Sequence, residues 1–392
     1  MTTKIALIVG AGVAGLSAAW WLTRIGWQVE IVERAPDLRA NGYMLGLSGP
    51  GYDVAGRMEI LPALQARSRL IRENLYLGRD GKVLMKLRYS DFLNGIDWLT
   101  LARTSLVEVL HEAVAERAPI RFGVTVAAIL SGTDRDATAA TVRLTDGSTR
   151  TVDLVIGADG IHSLVRSLAF GPEENFTSRL GYCVAAFEIA DGLDLGHDFL
   201  SYAEPGRLCE FYTLSEGRLA TLYVWRSGQG GATAASQRRP ALRQAFDGGH
   251  PDALRLIDDL PENAPLFFDD MAMIEMPNWS RGRVVLLGDS AHCLTLISGQ
   301  GAGMAMVSAC VLSEELERHP IESALARHES RMRPTIDRLQ ARSRKMAPVF
   351  IPPTSGAFAF RNFILRRAPR RLLNWYFVRG IRSEIFAARQ DA

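Results

Sequence analysis

A glycine-rich segment near the N-terminus is the first pattern in the chain that could carry chemistry. It reads GAGVAG over residues 10–15, follows an apolar run over residues 5–9, and precedes Glu33 by 18 residues counted from Gly15. In such a segment Gly10 permits a tight turn, Gly12 lets the backbone approach a pyrophosphate, and Gly15 lets helix and strand pack closely. The helix N-terminus supplies N–H groups and a positive dipole end for phosphates, and Glu33 can accept hydrogen bonds from ribose hydroxyls. The pattern predicts a dinucleotide site; the alternative is a turn with only a packing role.

Two further motifs follow in a set order. DLVIGADG spans residues 153–160, and GDSAH spans residues 288–292, continuing to SGQG over residues 298–301. With these three motifs, the chain resembles the class A flavoprotein monooxygenases, the para-hydroxybenzoate hydroxylase-like family, over about residues 4–330. Within that family it is most similar to the tetracycline destructase and polyketide hydroxylase branches.

The resemblance implies FAD as the bound cofactor. In that family the carboxylate equivalent to Asp289 binds the ribityl chain, and the glycine turn at 299–301 lies beside the isoalloxazine ring. The full set of implied cofactor contacts is Gly10, Gly12, Val13, Ala14, Gly15, Glu33, Arg34, Arg103, Asp159, Gly160, Asp289, Gly299, Gly301 and Ala302. NADPH or NADH would dock transiently without a domain of its own, which fits the absence of a second GxGxxG motif in the sequence.

The reaction implied by the resemblance is a monooxygenation. NADPH or NADH reduces the flavin, O2 adds to give a C4a-hydroperoxide, and a phenolic or polycyclic aromatic substrate takes one oxygen atom. Hydroxylation and ring-opening oxygen insertion both stay open, and no side chain is predicted as a catalytic base. Where the family commonly has proline and asparagine, this chain has Leu296 and Ala302. These departures keep two alternatives: a flavin oxidoreductase that does not oxygenate, and a flavin-loaded protein that sequesters a ligand.

Aromatic residues on two strand-like segments are the candidates for substrate contact. The segments cover residues 182–189 and 210–225, and their rings alternate along the chain, so about half should face a cavity. The candidates are Phe187, Phe211, Tyr212, Tyr223 and Trp225.

The elements that must position these residues form an α/β protein. The sequence predicts a strand–turn–helix–strand unit over residues 4–34, a helix over 104–117, a hairpin of 124–130 with 140–144, and buried strands at 152–156 and 284–287. We therefore expect a discontinuous Rossmann-like FAD-binding domain (1–70, 98–178 and 275–330), an inserted antiparallel β-sheet substrate domain (71–97 and 179–274), and a C-terminal helical tail (331–392).

Composition sets the remaining limits. The 392 residues are 47% apolar and 22% charged, with a net charge of +2, which excludes a disordered chain and gives no reason to expect nucleic acid or membrane as a partner. The four cysteines are scattered and suggest a reducing compartment, and no metal-ligand spacing occurs. We expect a cytoplasmic monomer or homodimer. The arginine-rich segment over residues 361–382 is predicted to be a packed helix; the alternative is a membrane-binding helix.

Overall fold

A computed structural model describes residues 3–38, 43–89, 96–195, 198–215, 217–227 and 233–367. The strands are β1 Ile5–Val9, β2 Gln28–Glu33, β3 Met44–Ser48, β4 Glu73–Leu77, β5 Val83–Arg88, β6 Trp98–Ala102, β7 Ile120–Phe122, β8 Val126–Ser131, β9 Ala140–Leu144, β10 Thr149–Val152, β11 Leu154–Gly157, β12 Thr177–Ala190, β13 Phe199–Glu204, β14 Arg207–Ser215, β15 Arg218–Arg226, β16 Phe267–Ile274, β17 Ser280–Arg281 and β18 Val284–Leu286. The helices are α1 Val13–Arg24, α2 Gly49–Arg57, α3 Leu61–Arg67, α4 Arg103–Val114, α5 Leu164–Ala169, α6 Ala235–Ala245, α7 Pro251–Asp258, α8 Asp289–His292, α9 Gly301–Arg318, α10 Ile321–Phe350 and α11 Ser355–Arg367.

The first strand lies inside a six-stranded sheet with the order β17-β18-β11-β1-β2-β7. β1 pairs in parallel with β2 and β11, and β11 pairs in parallel with β18. The residues of β1 from Ala6 to Val9 are buried, as expected for a parallel strand covered on both faces. Because these strands run in the same direction, the turns after β1, β11 and β18 meet at one edge of the sheet.

The second sheet has seven strands in the order β16-β12-β15-β14-β13-β4-β5, and its pairs are antiparallel except for β13 with β4. One side, here called the outer face, packs against Phe246 of the chain after α6 and Leu256 of α7. The other side, the inner face, packs against the 3-10 turn Leu296–Ser298 and against Ala347 of α10. The inner face is therefore the side turned towards the glycine turn at 299–301.

The helices at the C-terminal end connect the two sheets. α9 packs against α1 and α2, and α10 packs along α9. The hydroxyl of Tyr182 on β12 donates to the carbonyl of Ala347 at 3.1 Å, and Phe358 of α11 joins the same apolar cluster. Residues 361–367 of the arginine-rich segment form the end of α11, where Phe363 and Ile364 are exposed, so packing of this segment stays a prediction. Arg370, Arg371, Arg379 and Arg382 lie outside the described residues.

The predicted fold class is confirmed, with a parallel-strand sheet carrying the nucleotide-type turn and a separate, mostly antiparallel sheet. The predicted hairpin is also confirmed, since β8 pairs with β9 in antiparallel register. The large sheet lies within residues 71–97 and 179–274, apart from the first two residues of β12. Within the described ranges, no helix is both long enough and apolar enough to cross a membrane.

Candidate active site

The three glycines of the turn after β1 differ in what surrounds them. Gly10 has a φ of +109°, and a Cβ built there would lie 2.4 Å from the carbonyl oxygen of Ala158. A Cβ on Gly15 would lie 1.9 Å from the carbonyl oxygen of Gly10, so the start of α1 packs directly on the turn. A Cβ on Gly12 would meet no described atom within 4 Å. Gly10 and Gly15 are thus required by packing, whereas Gly12 opens onto free space.

A cavity of about 190 Å³ adjoins this turn. Its wall includes predicted cofactor residues from four separate parts of the chain: Gly10, Gly12, Glu33, Arg34, Arg103, Asp159 and Gly160. Val13 and Ala14 lie in the first turn of α1 and are buried beside it. The carboxylate of Glu33 already accepts hydrogen bonds from the N–H groups of Ala11 and Ala35, each at 2.9 Å. A carboxylate has about four lone-pair sites, so Glu33 can hold the turn and still accept a ribose hydroxyl.

Asp159 has a local task that its sequence position did not reveal. Its carboxylate accepts hydrogen bonds from the N–H groups of Leu164 at 2.7 Å and Val165 at 3.1 Å, and from the hydroxyl of Ser163. It therefore caps the N-terminus of α5, while Gly160, at a φ of +86°, presents its backbone to the cavity. The N–H of Gly160 donates to the hydroxyl of Ser290 at 2.9 Å, which ties this turn to the one after β18.

A second group of predicted residues lies at the turn after β18. Asp289 begins α8, where burial raises the pKa of its carboxyl and the nearby charge of Arg103 partly opposes that rise. The guanidinium of Arg103 lies 6.0 Å from the centre of the Tyr43 ring. Arg103 lines the cavity at the glycine turn and is also close enough to Asp289 to act electrostatically on its carboxyl.

The turn at Gly299 leads directly into α9, whose first residues are Gly301 and Ala302. Gly299 adopts a left-handed conformation with a φ of +63°. No acidic residue and no side-chain cap occupies the first turn of α9. The free N–H groups and the positive end of the helix dipole are thus available to a group carrying negative charge.

His162, also at the cavity wall, bridges two carboxylates. Its Nδ1 lies 2.9 Å from Glu173 and its Nε2 lies 3.0 Å from Asp269 of β16. The hydrogen bond to Asp269 is the main reason that the pKa of His162 is raised to about 9. The imidazolium thereby links the loop after β11 to the large sheet.

Four of the five aromatic candidates for substrate contact lie on the outer face, which corrects the expectation placed on them. Their rings pack among themselves and around Phe246, and the four are Phe187, Phe211, Tyr223 and Trp225. They fill the core beneath α6 and α7, so they are not positioned to touch a ligand at the inner face. Tyr212 is the exception: it lies on the inner face, where its hydroxyl accepts a hydrogen bond from the N–H of Met44.

The inner face carries polar residues that the sequence analysis did not select. Glu210 and Tyr76 lie there, with the Tyr76 hydroxyl 3.5 Å from Oε1 of Glu210. The available signal was period 2: Glu210 is two residues from Tyr212 and therefore shares its face of β14. Glu210, an acid within an aromatic strand, distinguishes this face of β14 in the sequence. An acid at that position could equally indicate a face exposed to solvent.

The open space at the site fits a dinucleotide. A Cβ on Gly160 or on Gly301 would, like one on Gly12, meet no described atom within 4 Å. Glycine at these positions lets a pyrophosphate or a flavin edge come close to the backbone. The N–H of Gly160 is itself bonded to the hydroxyl of Ser290.

Comparison with known proteins decides the family. The FAD binding domain family model matches residues 2–328. The chain belongs to this family. An uncharacterised protein of Mycobacterium tuberculosis is 34% identical over 328 residues, which cover 80% of this chain and 85% of that relative. A flavin-dependent monooxygenase from an unknown prokaryotic organism is 30% identical over 316 residues, covering 80% of each chain.

Solved structures agree with this assignment. Tetracycline destructase Tet(55) is 25% identical with a TM-score of 0.81, covering 93% of this chain and 95% of that one. HpxO of Klebsiella pneumoniae, solved with FAD and uric acid, has a TM-score of 0.80 at 24% identity, covering 98% and 97%. The chain is thus a class A FAD-dependent monooxygenase, and the predicted FAD cofactor and enzyme class are confirmed.

Proposed function

We propose that this class A monooxygenase uses NADPH or NADH and O2 to insert one oxygen atom into a phenolic or polycyclic aromatic small molecule. One observation carries the proposal. Leu296 and Ile297, next to the glycine turn at 299–301, share an apolar cluster with Tyr76 and Leu222 of the inner face. A flat aromatic molecule between this face and the turn would lie beside the ring system of a flavin held there.

The proposed cofactor site joins the two groups of residues described above. The glycine turn and Gly160 would hold the pyrophosphate, and Glu33 would bind a ribose hydroxyl. Asp289 would bind the ribityl chain with Arg103 beside it, and α9 would point its N-terminus at the flavin ring. In this proposal the FAD-binding domain consists of residues 1–70, 98–178 and 275–330, and the substrate domain of residues 71–97 and 179–274.

Bound FAD would supply the redox chemistry, accepting electrons from the reduced nicotinamide and activating O2. The residues of the chain would hold the cofactor and substrate in place, stabilise charge on the flavin ring and exclude water from the reacting atoms. The N-terminus of α9 would stabilise the negative charge that the flavin ring carries when reduced. The apolar side chains of Leu222, Leu296 and Ile297 would keep water from the reacting atoms.

The chemistry of the relatives supports an aromatic or heteroaromatic substrate. Tetracycline destructases are named for a polycyclic substrate, and HpxO was solved with uric acid. We further propose that the protein works in a reducing compartment, since all four cysteines are free thiols. We also propose that it is a monomer or homodimer. Gel filtration with light scattering tests the oligomeric state.

The deciding experiment follows flavin absorbance under anaerobic conditions. The holoenzyme is mixed with NADPH, and separately with NADH, in the presence of single phenols, anthraquinones or tetracyclines. Reduction accelerated manyfold by one compound, followed by an oxygenated product when O2 is admitted, would support the proposal. Reduction that ignores every compound, or compound-dependent reduction that yields only H2O2, would contradict it.

A further inference from the structure

The inner face contains the carboxyl group of Glu210, which is surrounded by other polar side chains. The Ser201 hydroxyl lies 3.3 Å from Oε1 of Glu210, and the Tyr76 hydroxyl lies 3.5 Å from the same atom. The Ser201 hydroxyl also lies 2.9 Å from Oδ1 of Asn74, and both Ser201 and Asn74 are buried. A carboxyl, two hydroxyls and an amide are thus gathered in an otherwise apolar part of the face.

Glu210 is nevertheless reachable from the space in front of the face. Its side chain is half-buried. Leu222, which pairs with Glu210 across β14 and β15, and Tyr76 are also half-buried. Leu296 and Ile297, which pack against this part of the face, are half-buried as well. Partial exposure at all five positions leaves Glu210 open to contact on the side of the inner face turned towards the 3-10 turn Leu296–Ser298.

The groups that face Glu210 are largely neutral. Burial raises the pKa of its carboxyl to about 7, and hydrogen bonds from Ser201, Tyr76 and Asn74 partly oppose that rise. Tyr89 and Tyr212 lie near it as neutral phenols, their own pKa values raised by burial. Arg361 of α11 acts electrostatically on Tyr76. Burying a carboxylate without a cation costs free energy, which a ligand that donates a hydrogen bond would offset.

We propose that Glu210 determines substrate class by accepting a hydrogen bond from an uncharged hydroxyl of the substrate and by repelling substrates that carry a carboxylate at that position. This inference rests on the proposed function, because it assumes that the substrate lies between the inner face and the flavin. Tyr76 and Ser201 are the positioning residues: their hydroxyls fix the carboxyl and favour its charged form.

The test compares three ligands of equal ring size on the oxidised holoenzyme: 1-naphthol, 1-methoxynaphthalene and 1-naphthoate. Binding is measured by equilibrium dialysis at about pH 8, where Glu210 is mostly ionised. The wild type should bind 1-naphthol roughly 10- to 100-fold more tightly than the methyl ether, because a hydrogen bond to a charged group changes a binding constant by about that factor. It should bind 1-naphthoate weakest of the three.

Glu210→Gln should reverse part of this order: affinity for 1-naphthol falls towards that of the ether, and affinity for 1-naphthoate rises. Glu73→Gln is the matched control, since Glu73 lies on the outer-face side of β4 and pairs with Lys86. Tyr76→Phe keeps the carboxyl and removes a donor that lowers its pKa, so the rise of 1-naphthol affinity with pH should move to higher pH.

Two results would overturn the inference. One is equal binding, or no binding, of the three ligands to the wild type. The other is an unchanged ligand order in Glu210→Gln together with an unchanged pH dependence in Tyr76→Phe. Because dialysis needs no turnover, these results are distinguishable from failure of the proposed reaction, which the anaerobic reduction assay reports separately.

Discussion

Replacing Gly12 by valine should separate cofactor binding from folding. Gly12 precedes α1 as its N-cap with φ −84° and ψ −171°, an extended conformation that valine adopts readily. A Cβ there meets no described atom within 4 Å, so the first atom of the new side chain displaces no protein neighbour. It would instead fill the space that a pyrophosphate needs for close approach to the backbone.

The expected magnitudes differ widely for the two properties. Losing glycine at an N-cap costs up to about 1 kcal/mol of stability, and the stiffer unfolded chain returns about 0.4–1 kcal/mol. The apoprotein should therefore melt within a few degrees of the wild type. Losing one hydrogen bond from a backbone N–H to a charged phosphate costs about 1.5–3 kcal/mol, which weakens FAD binding roughly 10- to 100-fold.

The assay is FAD titration of the apoprotein followed by flavin fluorescence, with a thermal melt of each apoprotein beside it. Gly56→Ala is the matched control, because a Cβ at Gly56 in α2 also meets no described atom within 4 Å and Gly56 is not part of the cavity wall. It should keep wild-type FAD affinity. Wild-type FAD affinity in Gly12→Val would refute the assignment of this turn to the pyrophosphate.

Three further outcomes are expected. Gly15→Ala should reduce the free energy of unfolding of the apoprotein by about 1–3 kcal/mol, because the new Cβ would lie 1.9 Å from a backbone oxygen. The melting temperature should fall accordingly, and an unchanged melting temperature would contradict the packing argument. The pKa of His162 is raised to about 9 from 6.5, so its ion pairs stabilise the fold fully below about pH 6.5 and this stabilisation is lost as pH rises through 9. The melting-temperature gap between wild type and His162→Gln should therefore be largest at low pH and close at high pH, and a constant gap would exclude the ion pairs as its cause. The four cysteines are buried, so a thiol reagent should label none quickly in the native protein and all four after unfolding; rapid native labelling would show that one is accessible.

The strand–turn–helix–strand unit over residues 4–34 was predictable because its separate sequence signals all indicate the same structure. The apolar run, the glycine spacing and the acid at the end of β2 all specify one geometry, and the observed β1, α1 and β2 follow it within a few residues. The role of Asp159 was not visible, because its contacts with Leu164 and Val165 depend on how the chain turns after β11.

The substrate face was not predictable from alternation alone. Both faces of β14 are covered, one by α6 and α7 and the other by the 3-10 turn Leu296–Ser298 and α10. Apolar residues therefore occur on both faces of the strand. Glu210 shares its face with Tyr212, but an acid can mark either solvent or a site. The sequence therefore did not tell whether the face through Phe211 or the face through Tyr212 meets the substrate. The decisive information is which side the helices after β15 cover, and that is a tertiary property.

The pairing order of the central sheet also constrains when the enzyme can be completed during synthesis. β1 leaves the ribosome early, but its partner β11 ends at Gly157 and the next strand, β18, ends at Leu286. The nascent chain must therefore keep the β11 edge of the sheet unpaired until β18 has emerged. An N-terminal fragment ending before β18 would keep the glycine turn and yet have an unfinished sheet, whose unpaired β11 edge would favour aggregation.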